Sequence, residues 1–266
     1  MKRLTTWASL CMLVAVFAAC GGGAPPGEAV PSGGDAAGDA SSQVEAPVID
    51  PATAGTIQGK VTFTGTAPAN EAISMEGEPD CASTYTDTAP PTQETVLVND
   101  DGTVQNVFVY VKDGLGDMQF PAAAEPVVLD QQGCRYHPHV LGVMVGQPLL
   151  IRNSDPVLHN IHPRPAENRA FNESQPKQGM EAEKTFSKPE ILIPVGCDVH
   201  DWMNAFIGVV AHPYFTVTGT DGTFVLPNLP PGEYTIEAVH ESFGVQEIDV
   251  TVGASETKDI DFSFSG

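Results

Sequence analysis

Asp221-Gly222-Thr223-Phe224-Val225-Leu226 and, just after it, Leu229-Pro230-Pro231-Gly232-Glu233-Tyr234-Thr235-Ile236-Glu237-Ala238 decide the fold class. Each stretch begins with a turn signal, Asp-Gly in one and Pro-Pro-Gly in the other, and runs into a strand pattern. Tyr234, Ile236 and Ala238 alternate with Thr235 and Glu237, the period of a half-buried strand. Ile260, Phe262 and Phe264 repeat that period near the end of the chain. Working back, Ile57, Val61 and Phe63 alternate in the same way, which places the start of order at Gly55.

Between these ends the signals stay β. Residues 96–98 and 104–111 flank Asn99-Asp100-Asp101-Gly102, a hairpin signal with Gly where positive φ is needed. Residues 140–145 and 149–151 are split by a Gly146-Gln147-Pro148 turn, and residues 191–193 and 206–210 read as further apolar strands. The polar stretch 163–184 reads as a loop. No stretch sustains a helical period and no array of repeats is visible. The expected class is all-β, which Gly 26, Pro 23 and modest aromatic content also favour.

The formal net charge is -22, from 12 basic and 34 acidic side chains. A nucleic-acid surface needs clustered Lys and Arg, so nucleic acid is excluded as a partner class. The same charge is either a solvated, self-repelling surface or an acidic face for a basic partner.

Lys2 and Arg3 followed by the apolar residues 10–19 read as a secretory signal, too short for a membrane-spanning helix. That signal ends in Phe17-Ala18-Ala19-Cys20, which resembles a bacterial lipobox. The resemblance implies cleavage after residue 19, a lipid on Cys20 and a cell-envelope location in which the membrane is touched through the lipid. Residues 20–54, rich in Gly, Ala, Pro, Ser and acidic groups, read as a disordered tether. Of five cysteines, Cys11 leaves with the signal and Cys20 takes the lipid, so Cys81, Cys134 and Cys197 remain in an oxidising compartment. Two can pair and one is left over, which calls for a metal or another explanation.

The chemical signal is Cys197-Asp198-Val199-His200-Asp201-Trp202-Met203, a thiolate, an imidazole and a thioether on one short segment between two apolar strands. Soft sulfur with imidazole selects copper, and two His, one Cys and a weak axial Met make the blue-copper arrangement. The missing imidazole is offered by His159, just after the strand at residues 149–153. Zinc gains nothing from a Met at a fixed position, and a binuclear copper loop would need a second Cys. The remaining alternative is a buried free Cys with scattered His and Met.

On these residues, with Val143-Met144-Val145-Gly146 and Asn153, the chain resembles the cupredoxin family and its amicyanin-like members in particular, over residues 119–212. The resemblance implies one copper, cycling between Cu(I) and Cu(II), held by His159, Cys197 and His200 with Met203 axial. Asn160 is the implied neighbour that supports the ligands. Asp201 stands where amicyanins carry Pro, placing a charge beside His200, and Trp202 takes a place often held by another aromatic. The tail resembles the carboxypeptidase regulatory-like, or transthyretin-like, β-sandwich through its D-G-x-F-x-L and P-P-G-x-Y signatures. A sandwich needs more strands than the tail supplies, so the expectation is a split one, with residues 55–118 giving its first strands, 119–212 a Greek-key cupredoxin domain inserted or adjacent, and 213–266 the remainder.

Cys81 and Cys134 are expected to form a disulfide, whose loop closure is worth about 3–5 kcal/mol. The rival is a second metal site from Cys134, His137 and His139, and His162 competes with His159 as the ligand. Odd spacing on a strand puts His159 and His162 on opposite faces. His212 and His240 read as surface or packing residues. No G-x-S-x-G elbow or phosphate-binding loop is present, so the expectation is a non-enzymatic electron carrier with a redox partner protein. The alternatives are a copper storage or delivery protein, in which His137, His139 and His162 add a transfer route, and a metal-free interaction module.

Overall fold

The computed structural model describes residues 47–266. The expected signal peptide, Cys20 and most of the tether lie outside the described residues. The early chain gives β1 (Gly55–Thr64), a one-turn helix α1 (Pro79–Ser83) and β2 (Phe108–Asp113). The middle gives β3 (Val127–Gln131), β4 (Tyr136–His137), β5 (Val140–Met144), β6 (Leu149–Asn153) and β7 (His159–Pro163). It continues with β8 (Glu173–Gln175), β9 (Glu181–Lys184), β10 (Glu190–Gly196) and β11 (Asn204–Val210). The tail gives β12 (Phe215–Val217), β13 (Thr223–Leu229), β14 (Gly232–His240), β15 (Gly244–Val252), β16 (Thr257–Asp259) and β17 (Phe262–Ser265). The protein is all-β.

Four sheets form two layered halves. One half stacks a sheet of β13, β1, β16 and β17 against a sheet ordered β12-β2-β14-β15. β1 runs antiparallel to β13 and parallel to β16 and β17, so the first described strand is zipped to the last. Ile57, Val61, Phe224, Leu226, Ile236, Phe262 and Phe264 meet between the layers. Alternation carries this half: Tyr234, Ile236 and Ala238 point inward, at 3%, 0% and 0% exposure.

The other half stacks a sheet ordered β5-β11-β10-β7-β8 against one ordered β4-β3-β6-β9. Leu129, Val143, Leu149, Ile151, Ile161, Ile193, Ile207 and Cys197 fill the space between them. Here the structure departs from the sequence reading in several places. The stretch expected to be a loop carries β8 and β9. They lack an apolar period because they are sheet-edge strands, each paired on one side. The expected hairpin around Gly102 closes its turn, with Gly102 at φ 84°, but its arms meet in a single bridge, Val98 to Val104. β2 pairs with β12 and β14 instead. Residues 55–118 do not all serve the sandwich, because Ile73, Met75, Cys81 and Tyr85 join the core of the β3–β11 half. The short helix α1 was not legible as a period, and Pro79 at its first position starts it.

The seam between the halves rests on glycine. Gly142 and Gly208 are paired across β5 and β11. A Cβ on Gly208 would stand 2.5 Å from the Phe108 ring, and one on Gly142 would stand 2.4 Å from Phe215. The two glycines therefore make the hollow in which aromatic rings of the other half sit. His139, from the β4–β5 turn, meets Glu241 of the β14–β15 turn at the same seam.

Candidate metal centre

The three residues come together at one end of the β3–β11 half. His159 opens β7, and Cys197 and His200 lie on the loop leaving β10. The loop is folded tightly: Met203 N–H donates to the His200 carbonyl at 3.0 Å, and Cys197 N–H donates to the Met203 carbonyl at 3.3 Å. His159 Nδ1 lies 3.1 Å from His200 Nδ1, and Cys197 Sγ lies 3.8 Å from His200 Nδ1. All three donor atoms fall within 4.8 Å of one another, and all three residues are buried. Donors about 2.0–2.3 Å from a shared ion in a trigonal set stand about 3.5–3.8 Å apart, so the spacing fits a metal. Met203 is 1% exposed and packs in the same core as Cys197.

The far side of each ring is held as well. His159 Nε2 stands 2.8 Å from Asp155 Oδ2. Asp155 also accepts from Gly133 N–H at 2.8 Å and Cys134 N–H at 2.7 Å. This carboxylate fixes the tautomer that leaves Nδ1 free to coordinate. Asn153 braces the approach to His159, donating to the Val157 carbonyl and accepting from Asp155 N–H. Asn160 does not touch the thiol through its side chain; it accepts from Asp198 N–H at 2.6 Å and donates to Asn172. Tyr136 donates to the carbonyls of Asn160 and Gly196, pinning β7 to β10.

Electrostatics favour the thiolate form of Cys197 and the protonated form of His159, whose proton toward the thiol a metal would displace. Burial opposes a charged Cys197, yet hydrogen bonds from His159 and His200 and from the backbone of Asn160 and His200 lower its pKa to about 6. Burial likewise opposes charge on His159, and its bonds to Asp155 and Cys197 outweigh that and raise it. Asp155 is disfavoured by burial, but His159 and the N–H groups of Cys134 and Gly133 hold it below the usual carboxylate range.

Other sequence candidates separate from this cluster. Cys81 and Cys134 form a disulfide, which removes the rival site with His137 and His139. His137 is exposed and sits against the Gln132 carbonyl. His162 faces away from His159 and pairs with Asp198 at the surface. Trp202 packs its ring 5.1 Å from His200 and donates to the Cys134 carbonyl. Asp201 is exposed beside it. His240 is buried against Phe243, a packing role. Asp155, Tyr136 and the approach of Cys81 to His200 were missed by sequence reasoning. Asp155 lies four positions before His159 in no recognisable motif, and the other two are tertiary contacts.

Residues 204–265 match the carboxypeptidase regulatory-like domain. The regulatory-like match thus begins in β11, which pairs within the β3–β11 half, and runs through the tail strands to β17. No curated protein matches the sequence. Parts of the chain are similar to solved structures. The copper-containing nitrite reductase of Thermus scotoductus SA-01 is 22% identical, with a TM-score of 0.30, over 36% of this chain and 24% of that one. The chain therefore spans about a quarter of that enzyme's length. An oxidised amicyanin variant is 21% identical, with a TM-score of 0.30, over 38% of this chain and 97% of its own. A purple cupredoxin from Nitrosopumilus maritimus is 22% identical, with a TM-score of 0.28, over 33% of this chain and 99% of its own.

Proposed function

We propose that the protein is a single-copper, type 1 electron carrier, held in the cell envelope by a lipid on Cys20. The observation that carries the reading is the convergence of two buried imidazole Nδ1 atoms and one buried thiol within 4.8 Å. Soft sulfur with two imidazoles, and Met203 buried on the same loop, suits copper better than zinc. Bound copper would supply one-electron chemistry between Cu(II) and Cu(I).

The chain's own residues make that exchange inexpensive in reorganisation. Asp155 orients His159, Tyr136 ties Asn160 to Gly196, and the Cys197-to-Met203 loop is closed by two backbone bonds. A ligand set held from outside rearranges little when its charge changes. With Cys197 brought to about 6, the thiolate that coordinates is already the main form at neutral pH. Four protein donors leave no open position for a substrate, which favours a carrier over an enzyme. The net charge of -22 favours a redox partner with a basic face.

Addition of Cu(II) to the metal-free protein tests the reading. One equivalent should give an intense visible thiolate-to-copper charge-transfer band, and Cys197→Ser should abolish it. A colourless wild-type complex would remove copper electron transfer from consideration. Labelling with a radioactive fatty acid, lost in Cys20→Ser, tests the anchor.

A further inference from the structure

The Cys81–Cys134 disulfide stands in a place that a simple cross-link does not require. Cys81 Sγ lies 3.6 Å from Nε2 of His200, and both half-cystines are 1% exposed. On the other side, Cys134 N–H donates to the same Asp155 oxygen that stands 2.8 Å from His159 Nε2. The Cys134 carbonyl accepts from Trp202, whose ring packs on His200. One covalent bond therefore reaches the outer edge of both imidazoles. Its sulfur covers His200, which is 2% exposed, and its backbone aims the carboxylate that orients His159.

The segment that brings Cys81 there is held more by side chains than by backbone pairing: Ile73 and Met75 are buried and Tyr85 donates to the Gly133 carbonyl at 2.7 Å. α1 has five residues, and outside it the segment's ladder contact is an isolated bridge, Ala72 to Thr92. Backbone segments with so few pairings open locally at low free energy. Without the cross-link those side-chain contacts stay, but no covalent tie fixes α1 over His200, and its Nε2 edge would be left to Glu78, a half-exposed carboxylate 3.9 Å away.

We propose that Cys81–Cys134 is a clasp on the metal centre that puts copper retention under thiol control. The inference rests on the copper reading above. Closed, the clasp fixes both imidazoles and blocks the His200 edge. Opened by a dithiol, it lets copper exchange: the dithiol passes two electrons and two protons to the S–S bond, Cys81 and Cys134 become thiols, and the reductant closes its own disulfide.

The test starts from Cu(I)-loaded protein and follows copper transfer to a cuprous chelator, bathocuproine disulfonate. Removal of the clasp in the double variant Cys81→Ala, Cys134→Ala should speed transfer at least about tenfold, the scale on which outer partners of metal ligands act. The Cu(II) form of that variant should also show a changed charge-transfer band and electron paramagnetic resonance spectrum. Wild-type protein reduced with a phosphine until two additional thiols titrate gives a second route, independent of whether the double variant folds. Phe224→Ala, in the other half, serves as the control for lost stability alone. Unchanged transfer with the clasp open overturns the proposal, as does equal acceleration by Phe224→Ala. A wild-type protein with no charge-transfer band would instead overturn the copper reading itself.

Discussion

The two halves of the molecule use the same architecture and fill it differently. Between the sheets that join β1, β2 and β12 to β17, the core cluster is aliphatic and aromatic, and the buried polar groups around it are Thr103, Thr218, Glu237 and His240. In the β3–β11 half, Gln131, Asn153, Asp155, His159, Asn160, Gln175 and His200 are each at most 7% exposed. An apolar core is specified by which positions face inward, so many sequences satisfy it. A buried polar set is specified by which group meets which, and a single missing partner leaves others unsatisfied. The tail is thus a scaffold held by burial, and the other half is a scaffold that also holds a chemical constellation.

Substitution at Asp155 should give the largest effect if that contrast is right. Asp155→Ala strands two backbone N–H groups and the His159 imidazole at once. Loss of one partner from a buried charged set costs about 3–5 kcal/mol, and copper affinity should fall about 10–100-fold. Phe224→Ala, at 2% exposure in the tail core, should cost a similar ~3–5 kcal/mol by cavity formation. It should leave copper affinity and the visible band alone. Chemical denaturation and copper titration of both variants decide the matter. Equal copper effects would mean that the halves are not separable in this way.

This difference also explains what could be read from the sequence. Tyr234, Ile236 and Ala238 announce their strand because burial on alternate positions leaves a period. Cys197 and His200 stood out because sulfur and imidazole fall at short spacing, and His159 because it follows a strand; the structure brings these three donors together. β8 and β9 were not legible, since β8 is three polar residues and β9 sets Glu181, Glu183 and Lys184 around one Ala, so neither buries apolar side chains that would leave a pattern. In β10 the pairing shifts between Glu190 and Ile193, and Leu192 takes φ 53°, so the apolar run 191–193 shows a strand without its register. Asp155 and the placement of Cys81 against His200 are products of long-range packing, for which local sequence carries no sign.

Acidity offers a milder way to separate the halves. His240, buried in the β14 end and close to His139, is lowered to about 4, chiefly by burial. Its Nδ1 accepts from Ser242 and Phe243 N–H groups, which requires the neutral ring. A base whose folded pKa is depressed takes up its proton more readily when unfolded. Its contribution to stability is therefore complete above about 6.5 and is lost as pH falls from there toward about 4. Cys197, lowered from 9.0 to about 6, works in another window: in metal-free protein its contribution grows from about pH 6 to about pH 9 and is complete above that. Melting curves across pH should show both slopes in the metal-free wild type. His240→Phe should flatten the acid one, and Cys197→Ser the alkaline one. If either variant flattened both, the two halves would be titrating as one unit.

Asp201 should give the smallest effect and the most specific one. Its side chain is exposed on the loop between His200 and Met203. A negative charge there stabilises the more positive Cu(II) form, so its removal should raise the reduction potential. Water screens an exposed charge, which limits the change to on the order of 20 mV. Glu233, equally exposed on the tail strand β14, is the matched control. Asp201→Ala should move the potential upward by voltammetry without altering the melting temperature, and Glu233→Ala should move neither. The sign carries the weight of this test. A downward shift at Asp201 would mean that the carboxylate acts through the hydrogen bonding of the loop rather than through its charge, and the loop's geometry would then matter more to the potential than the field around it.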